Sequence, residues 1–237
     1  MTKIFIDPGH GGRDPGAVAN GLQEKALVLD IALRMRNMLL NEYEGVQVRM
    51  SRDKDVFVSL EERARMANSW GADYFVSVHI NAGGGTGFES FVHTSQASRT
   101  VALRNVVHDE IIRALSGVRD RGKKVANFAV LRLTRMPAIL TENLFVDHVQ
   151  DASRLKDPNF LSRIARGHAE GIAKAFGLRK KQQQQQSSTS QSTSTATSGN
   201  VMYRVVTGSF RDRENAERRV AELKKAGFES FIDVYRP

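Results

Sequence analysis

The sequence predicts an α/β fold, a mostly parallel sheet with helices on both faces, followed by a small β-α-β unit. Three observations predict it. Short apolar runs at residues 3–6 and 74–78 contain no turn residue and read as buried strands. Between such runs lie segments with a helical apolar period, at 22–40 and 100–115. After residue 179 the composition changes to Lys-Lys, five glutamines and a Ser/Thr-rich stretch, and ordered patterning returns near residue 202. Strands that alternate with helices pair in parallel, because a parallel connection needs a crossover.

Each element has its own signal. In residues 22–40, Leu27, Ile31, Met35, Met38 and Leu39 form one stripe. Residues 46–50 alternate as a strand. Residues 60–70 form a helix, with Ser59 as N-cap, Glu62 completing a capping box and Gly71 as the stop. The apolar run 74–78 ends at His79, a glycine turn follows at 83–85, and residues 87–93 read as a strand. Leu103, Val107, Ile111 and Leu115 share one helix face. Residues 119–124 read as a basic loop, and 129–131 and 138–141 as strands, the second running into Glu142. The helix from Asp157 to Phe176 has Pro158 in its first turn and Gly177 as its stop. In the tail, residues 203–207 and 231–235 read as strands. Between them lies a helix capped by Asp212, bearing Ala216, Val220 and Leu223, and ended by Gly227. The organisation is therefore a domain at 1–178, a flexible linker at 179–200 and a small unit at 201–237.

Composition excludes several function classes. The 237 residues contain no cysteine, which removes disulfide frameworks, thiolate zinc sites and thiol nucleophiles. No apolar run is long enough to span a membrane. The N-terminus enters a strand directly, so no Sec signal is expected. Hydrophobic residues make up 41%, enough for a core. The net charge of +9 is uneven: residues 179–237 carry 11 Lys+Arg against 6 Asp+Glu. A basic tail suits a polyanionic partner: nucleic acid, an anionic membrane or an anionic cell wall. Nucleic acid is not expected, because the tail's aromatics fall at strand positions where they serve a core.

The chemistry-bearing residues fall at strand ends. His10 sits in the Pro-Gly turn after the first strand, Glu24 opens the next helix, His79 ends another strand and Glu142 follows a fourth. In parallel sheets the ligand site lies at the carboxyl ends of the strands. Two imidazoles and a carboxylate hold Zn²⁺ with one position open for water, which makes His10, Glu24 and His79 the candidate ligands. Glu142 is the candidate general base. Taken singly, each has an ordinary structural reading: a capping histidine, a first-turn acid, a salt-bridge partner. His93, His108, His148 and His168 are the competing imidazoles. His108 and His168 lie within helices and read as structural or exposed, and His148 is placed to touch a substrate. Ser77 has no base beside it, and Gly83–Gly85 lacks the Lys-Ser/Thr of a phosphate loop.

Asp7-Pro8-Gly9-His10-Gly11-Gly12, Glu24-Lys25, Ser51-Arg52-Asp53, Leu60 with Arg63 and Ala67-Asn68, Ser77-Val78-His79-Ile80-Asn81-Ala82 and Thr141-Glu142-Asn143 occur in this order. Together they resemble the zinc-dependent N-acetylmuramoyl-L-alanine amidases of the type 3 family, over residues 2–177. The resemblance implies a six-stranded α/β fold, zinc on His10, Glu24 and His79, catalysis by Glu142, and hydrolysis of the amide between N-acetylmuramic acid and L-alanine in peptidoglycan. One departure stands out: the family often has glycine after the Glu-X pair, where this chain has Leu144. The tail, from Tyr203 to Phe210 with Asn215-Ala216-Glu217 and Gly227-Phe228, resembles one β-α-β half of a SPOR peptidoglycan-binding domain. A half-domain invites dimerisation through the tail. The layout is similar to mother-cell autolysins of spore formers and to phage endolysins, which act at the wall once the membrane is breached. The alternatives are a zinc peptidase of the stem peptide and a non-catalytic wall-binding protein.

Overall fold

The computed structural model describes residues 1–181, 213–225 and 232. The chain divides into two compact units, Met1–Gln184 and Gln185–Pro237. The first opens with β1 (Thr2–Pro8), a short hairpin of β2 (Val18–Ala19) and β3 (Leu22–Gln23), and α1 (Glu24–Glu42). Then come β4 (Val46–Met50), α2 (Leu60–Trp70), β5 (Tyr74–Asn81), β6 (Phe88–Val92) and α3 (Ser98–Ala114). It closes with β7 (Asp120–Val125), α4 (Ala129–Leu133), β8 (Ala138–Phe145), α5 (Val149–Leu155) and α6 (Pro158–Phe176).

The six-stranded sheet has the order β4-β1-β5-β8-β6-β7. β4, β1, β5 and β8 pair in parallel, β6 runs antiparallel to β8, and β7 is parallel to β6. The α/β fold read from the sequence is the fold observed. One face packs Ile4, Ile6, Tyr74, Val76, Val78 and Ile139 against the apolar stripes of α1, α3 and α6. The other packs Phe5, Phe75, Ala138 and Leu140 under Ala67 of α2 and Val130 and Leu131 of α4. Phe5 stacks on Phe75 with ring centroids 5.8 Å apart. Burying each such ring contributes about 3 kcal/mol.

The helix signals match the observed boundaries. Ser59 Oγ accepts from the Glu62 amide, although the Glu62 carboxylate pairs with Arg65. Gly71 ends α2 at φ 66°, the left-handed turn that glycine adopts freely. Asp157 caps α6, and Pro158 stands in its first turn. Gly167 and Gly171 bring α6 against α3: a Cβ on either would stand within 3.0 Å of the Ile111 or Val107 backbone.

Two segments differ from the sequence reading. Residues 129–131, read as a strand, form α4, because a run this short shows no period that separates helix from strand. Residues 119–124, read as a basic loop, belong mostly to β7, an edge strand whose lysines and arginine protect it from further pairing.

In the second unit, α7 (Arg213–Lys225) is described, with exposed pairs Arg213–Glu217 at 2.8 Å and Arg219–Glu222 at 3.0 Å. The strands expected at 203–207 and 231–235, the Asp212 cap and the Gly227 stop lie outside the described residues, apart from Ile232. Among the described residues no helix is long and apolar enough to cross a membrane.

Candidate metal centre and active site

β1 delivers the chain to Pro8, and the following turn carries His10 at φ 58°, in the left-handed region. Two arginines hold that turn. Arg63 donates to the carbonyls of Pro8 at 2.7 Å and His10 at 2.6 Å. Arg52 donates to Pro8 at 3.1 Å and Gly9 at 2.7 Å. Arg63 also pairs with Asp7 at 2.7 Å, both side chains being almost wholly buried. The turn's carbonyls have found donors, so the strained His10 is over-determined by its surroundings.

Glu24, the first residue of α1, is buried beneath this turn. Its Oε1 accepts from the Ile80 amide at 3.0 Å and its Oε2 from the Ala17 amide at 2.9 Å. His10 Nε2 lies 3.1 Å from Glu24 Oε2, and His79 Nδ1 lies 3.0 Å from Glu24 Oε1. The two rings meet edge to face, 5.1 Å apart. Glycine is required twice here. A Cβ at Gly9 would enter the His79 ring at 2.3 Å, and one at Gly16 would meet Glu24 Oε2 at 2.6 Å.

The partners behind the rings fix their tautomers. His10 Nδ1 faces Asp14 Oδ2 at 2.9 Å and so carries the proton. Ser77 donates to Asp7 Oδ2 at 2.9 Å, so its oxygen accepts from His79 Nε2 at 3.2 Å. Both imidazoles therefore aim a lone pair at the same carboxylate. Two acceptors do not rest at 3 Å unless a cation is shared between them, a proton or a metal ion. The titration behaviour says the same. Burial opposes charge on His10 and His79, yet the Glu24 carboxylate raises both above the ordinary imidazole value. Burial likewise opposes ionisation of Glu24, and the two histidines overcome it and hold the carboxyl below the usual range. The three donor atoms lie within 4.8 Å of one another and could hold a metal ion.

Glu142 stands beside this set on β8, as the register partner of His79 on β5 and of Glu89 on β6. His79 and Glu142 lie inside their strands rather than beyond them: β5 runs on to Asn81 and β8 to Phe145. By strand alternation they lie on the same face of the sheet as Phe75 and Leu140. Glu142 Oε2 is buried and has no hydrogen-bond partner among the described residues. Burial raises the Glu142 carboxyl to about 7, with the charges of Glu24 and Glu89 adding to the rise and those of His79 and His10 opposing it. Asn143 donates to the His79 carbonyl at 3.0 Å and ties the two strands together behind the pair. Leu144 follows at φ 72°, a glycine-like conformation held by a fully buried leucine.

The other imidazoles stand apart. His148 caps α5, accepting from the Asp151 amide at 3.4 Å. His93 follows β6 and bonds to Ser95 and Asn127. His108 and His168 are fully buried, His108 against Ser90 and Asp120, His168 against Thr141 and Ile164. The sequence reading did not single out Asp14 or Glu89. Asp7, Arg52, Arg63 and Asn81 appeared in it only as parts of motifs.

The model for N-acetylmuramoyl-L-alanine amidases matches residues 4–174. The chain belongs to the N-acetylmuramoyl-L-alanine amidase family. A second model, the SPOR domain, matches residues 169–233 and begins inside α6. The chain is 50% identical over 236 residues to the N-acetylmuramoyl-L-alanine amidase CwlM of Bacillus licheniformis, covering 100% of this chain and 86% of that one. It is 50% identical over 187 residues to the endolysin of Bacillus phage SPP1, covering 76% of this chain and 69% of the endolysin. The catalytic domain of the amidase CwlV from Bacillus (Paenibacillus) polymyxa superposes with a TM-score of 0.71 at 34% identity, covering 76% of this amidase and 100% of that chain.

Proposed function

We propose that this amidase holds zinc on His10, Glu24 and His79 and uses Glu142 as general base in cleaving the amide between N-acetylmuramic acid and L-alanine. The observation that carries the proposal is the pairing of an orphaned carboxylate oxygen on Glu142 with a histidine whose lone pair is shared toward Glu24. Zinc held by these three residues would supply a Lewis acid for the amide carbonyl and would make water acidic enough to attack near neutral pH. Glu142 Oε2, free of partners among the described residues, accepts the proton of the attacking water and passes it to the departing alanine nitrogen. Asp14 and Ser77 keep the two imidazoles in the tautomers that face the ion. Asp7, anchored by Arg63 and Ser51, holds Ser77 in turn.

Residues 1–178 act as the catalytic domain, 179–200 as a linker and 201–237 as a wall-binding unit; the amidase match lies within the first, and the SPOR match runs from α6 across the linker to residue 233. The excess of Lys and Arg in the tail draws the enzyme to an anionic wall, and salt weakens that attraction. Mass spectrometry of digested peptidoglycan tests the reading. Free stem peptides that begin with L-alanine, lost on chelation and restored by zinc, are the expected products. Shortened stems still attached to glycan would assign a peptidase instead.

A further inference from the structure

On the Phe75–Leu140 face of the sheet, one row of side chains crosses three strands. It runs from His79 on β5 to its register partner Glu142 on β8, and on to Glu142's partner Glu89 on β6. Glu89 is 4% exposed, and its carboxylate is fully engaged. Oε1 accepts from Asn81 Nδ2 at 2.8 Å, and Oε2 accepts from Arg121 Nε at 2.8 Å and from Lys124 Nζ. Arg121 and Lys124 belong to β7, the next strand and the edge of the sheet.

Two cations meet one carboxylate here, so one positive charge is left over. The Arg121 guanidinium carbon stands over the Phe145 ring, 4.8 Å from its centre. Its Nη1 and Nη2 make no hydrogen bond among the described residues, and the side chain is 26% exposed. Gly85, in the loop after β5, leaves this space open: a Cβ there would stand 2.6 Å from the Phe145 ring and 3.1 Å from Arg121 Nη1. Glu89 thus holds the guanidinium at Nε, Phe145 packs on it, and the side chain keeps partial exposure beside the row. A planar guanidinium with two free donors is suited to a carboxylate.

We propose that Arg121 and Lys124 form a subsite that selects a carboxylate on the peptide side of the scissile amide. The inference rests on the placement of the reacting amide at Glu142. Neighbouring strands lie about 4.8 Å apart, so β7 is about 10 Å from Glu142 across β6. An extended peptide advances about 3.4 Å per residue. The recognised carboxylate therefore belongs to the second or third residue after the cleaved bond. The peptide crosses β6 toward β7, and the sugar lies on the side of β1.

The test compares kcat/KM of the full chain on two synthetic muramyl tripeptides. One has free carboxylates on its second and third residues, and the other has both amidated. The acid is expected to be favoured by about fivefold, in KM, as suits a partly exposed ion pair. Arg121→Gln is expected to bring the ratio close to one, and Arg121→Lys to recover part of it. Lys123→Gln, whose side chain pairs with Asp109, is expected to keep the wild-type ratio. General damage to the fold lowers both rates and leaves the ratio unchanged. A wild-type ratio near one, or a ratio that survives Arg121→Gln, overturns the proposal. Calorimetric binding of both peptides to Glu142→Gln separates the two readings. Equal affinities would remove the subsite and leave Glu142 in place. Undiminished turnover by that variant would remove Glu142 as the base, while the kinetic ratio would still decide the subsite.

Discussion

His79 on β5 and Glu142 on β8 are register partners in adjacent parallel strands. Neighbouring strands are about 4.8 Å apart, so backbone pairing alone sets the imidazole against the carboxylate. No loop has to order to bring them together. Glu24 reaches the same place from the start of a helix, with both oxygens already held by backbone amides. His10 is different: it stands in a strained turn and depends on the groups around it.

That dependence is testable at Asp14. Its carboxylate orients His10 through Nδ1 at 2.9 Å. Asp14→Ala is expected to weaken zinc binding about 10- to 100-fold, the usual effect of removing an outer-sphere partner, with the fold unchanged. Competition titration against a chromogenic chelator measures it. Wild-type affinity would show that Asp14 does not orient the ligand.

Arg63 supports the same turn from beneath. It and Asp7 form an ion pair in which both side chains are at most 2% exposed. Arg63→Met leaves a buried carboxylate without its partner, at an expected cost of about 3–5 kcal/mol. Adding Asp7→Asn is expected to recover part of the loss, because the uncompensated charge is then gone. Urea unfolding of the single and double variants reads both, and a loss below about 1 kcal/mol would count against the buttress.

Leu144 sets two effects against each other. Its left-handed φ of 72° costs about 1–2 kcal/mol relative to glycine. Its fully buried side chain contributes more, since truncating a core leucine costs about 2.7–5 kcal/mol. Leu144→Gly is therefore expected to destabilise the protein by about 2 kcal/mol despite relieving the strain. A variant as stable as wild type would mean the strain is the larger quantity.

His168 makes stability depend on pH. It donates from Nδ1 to the Ile164 carbonyl at 2.8 Å and accepts at Nε2 from Thr141 at 3.0 Å, so it is buried neutral. Burial lowers its pKa from 6.5 to about 4. Between these values the unfolded chain binds the extra proton. The contribution of His168 is thus complete above about pH 6.5 and is lost as pH falls to about 4, a change of about 3 kcal/mol. His168→Gln is expected to flatten the slope of unfolding free energy in that window relative to wild type. Identical slopes would contradict the assignment.

Most of the architecture was legible because the parallel strands are buried on both sides and read as apolar runs, as at Ile4–Ile6 and Tyr74–Val76. The candidate site was legible for a related reason: polar residues stand at or just beyond the ends of those runs, at His10, His79 and Glu142. Residues 129–131 were misread because three apolar residues carry no period, and β7 was missed because its protective lysines look like a loop. Neither Glu89 nor Arg121 was visible as part of the site. Their place beside Glu142 comes from β6 inserting antiparallel next to β8, a pairing between strands far apart in sequence that no local pattern encodes. His108 and His168 read as structural or exposed, and both prove buried, because burial depends on which helix face meets the sheet.

The most direct test of the account is zinc content and peptide release measured together on wild type and Glu142→Gln. The account predicts one zinc per chain in both proteins. It also predicts release of L-alanine-terminated peptide slowed about 10²- to 10⁴-fold in the variant, the range for loss of a general base. Near-wild-type release by Glu142→Gln, or undiminished release by metal-free wild type, would contradict it.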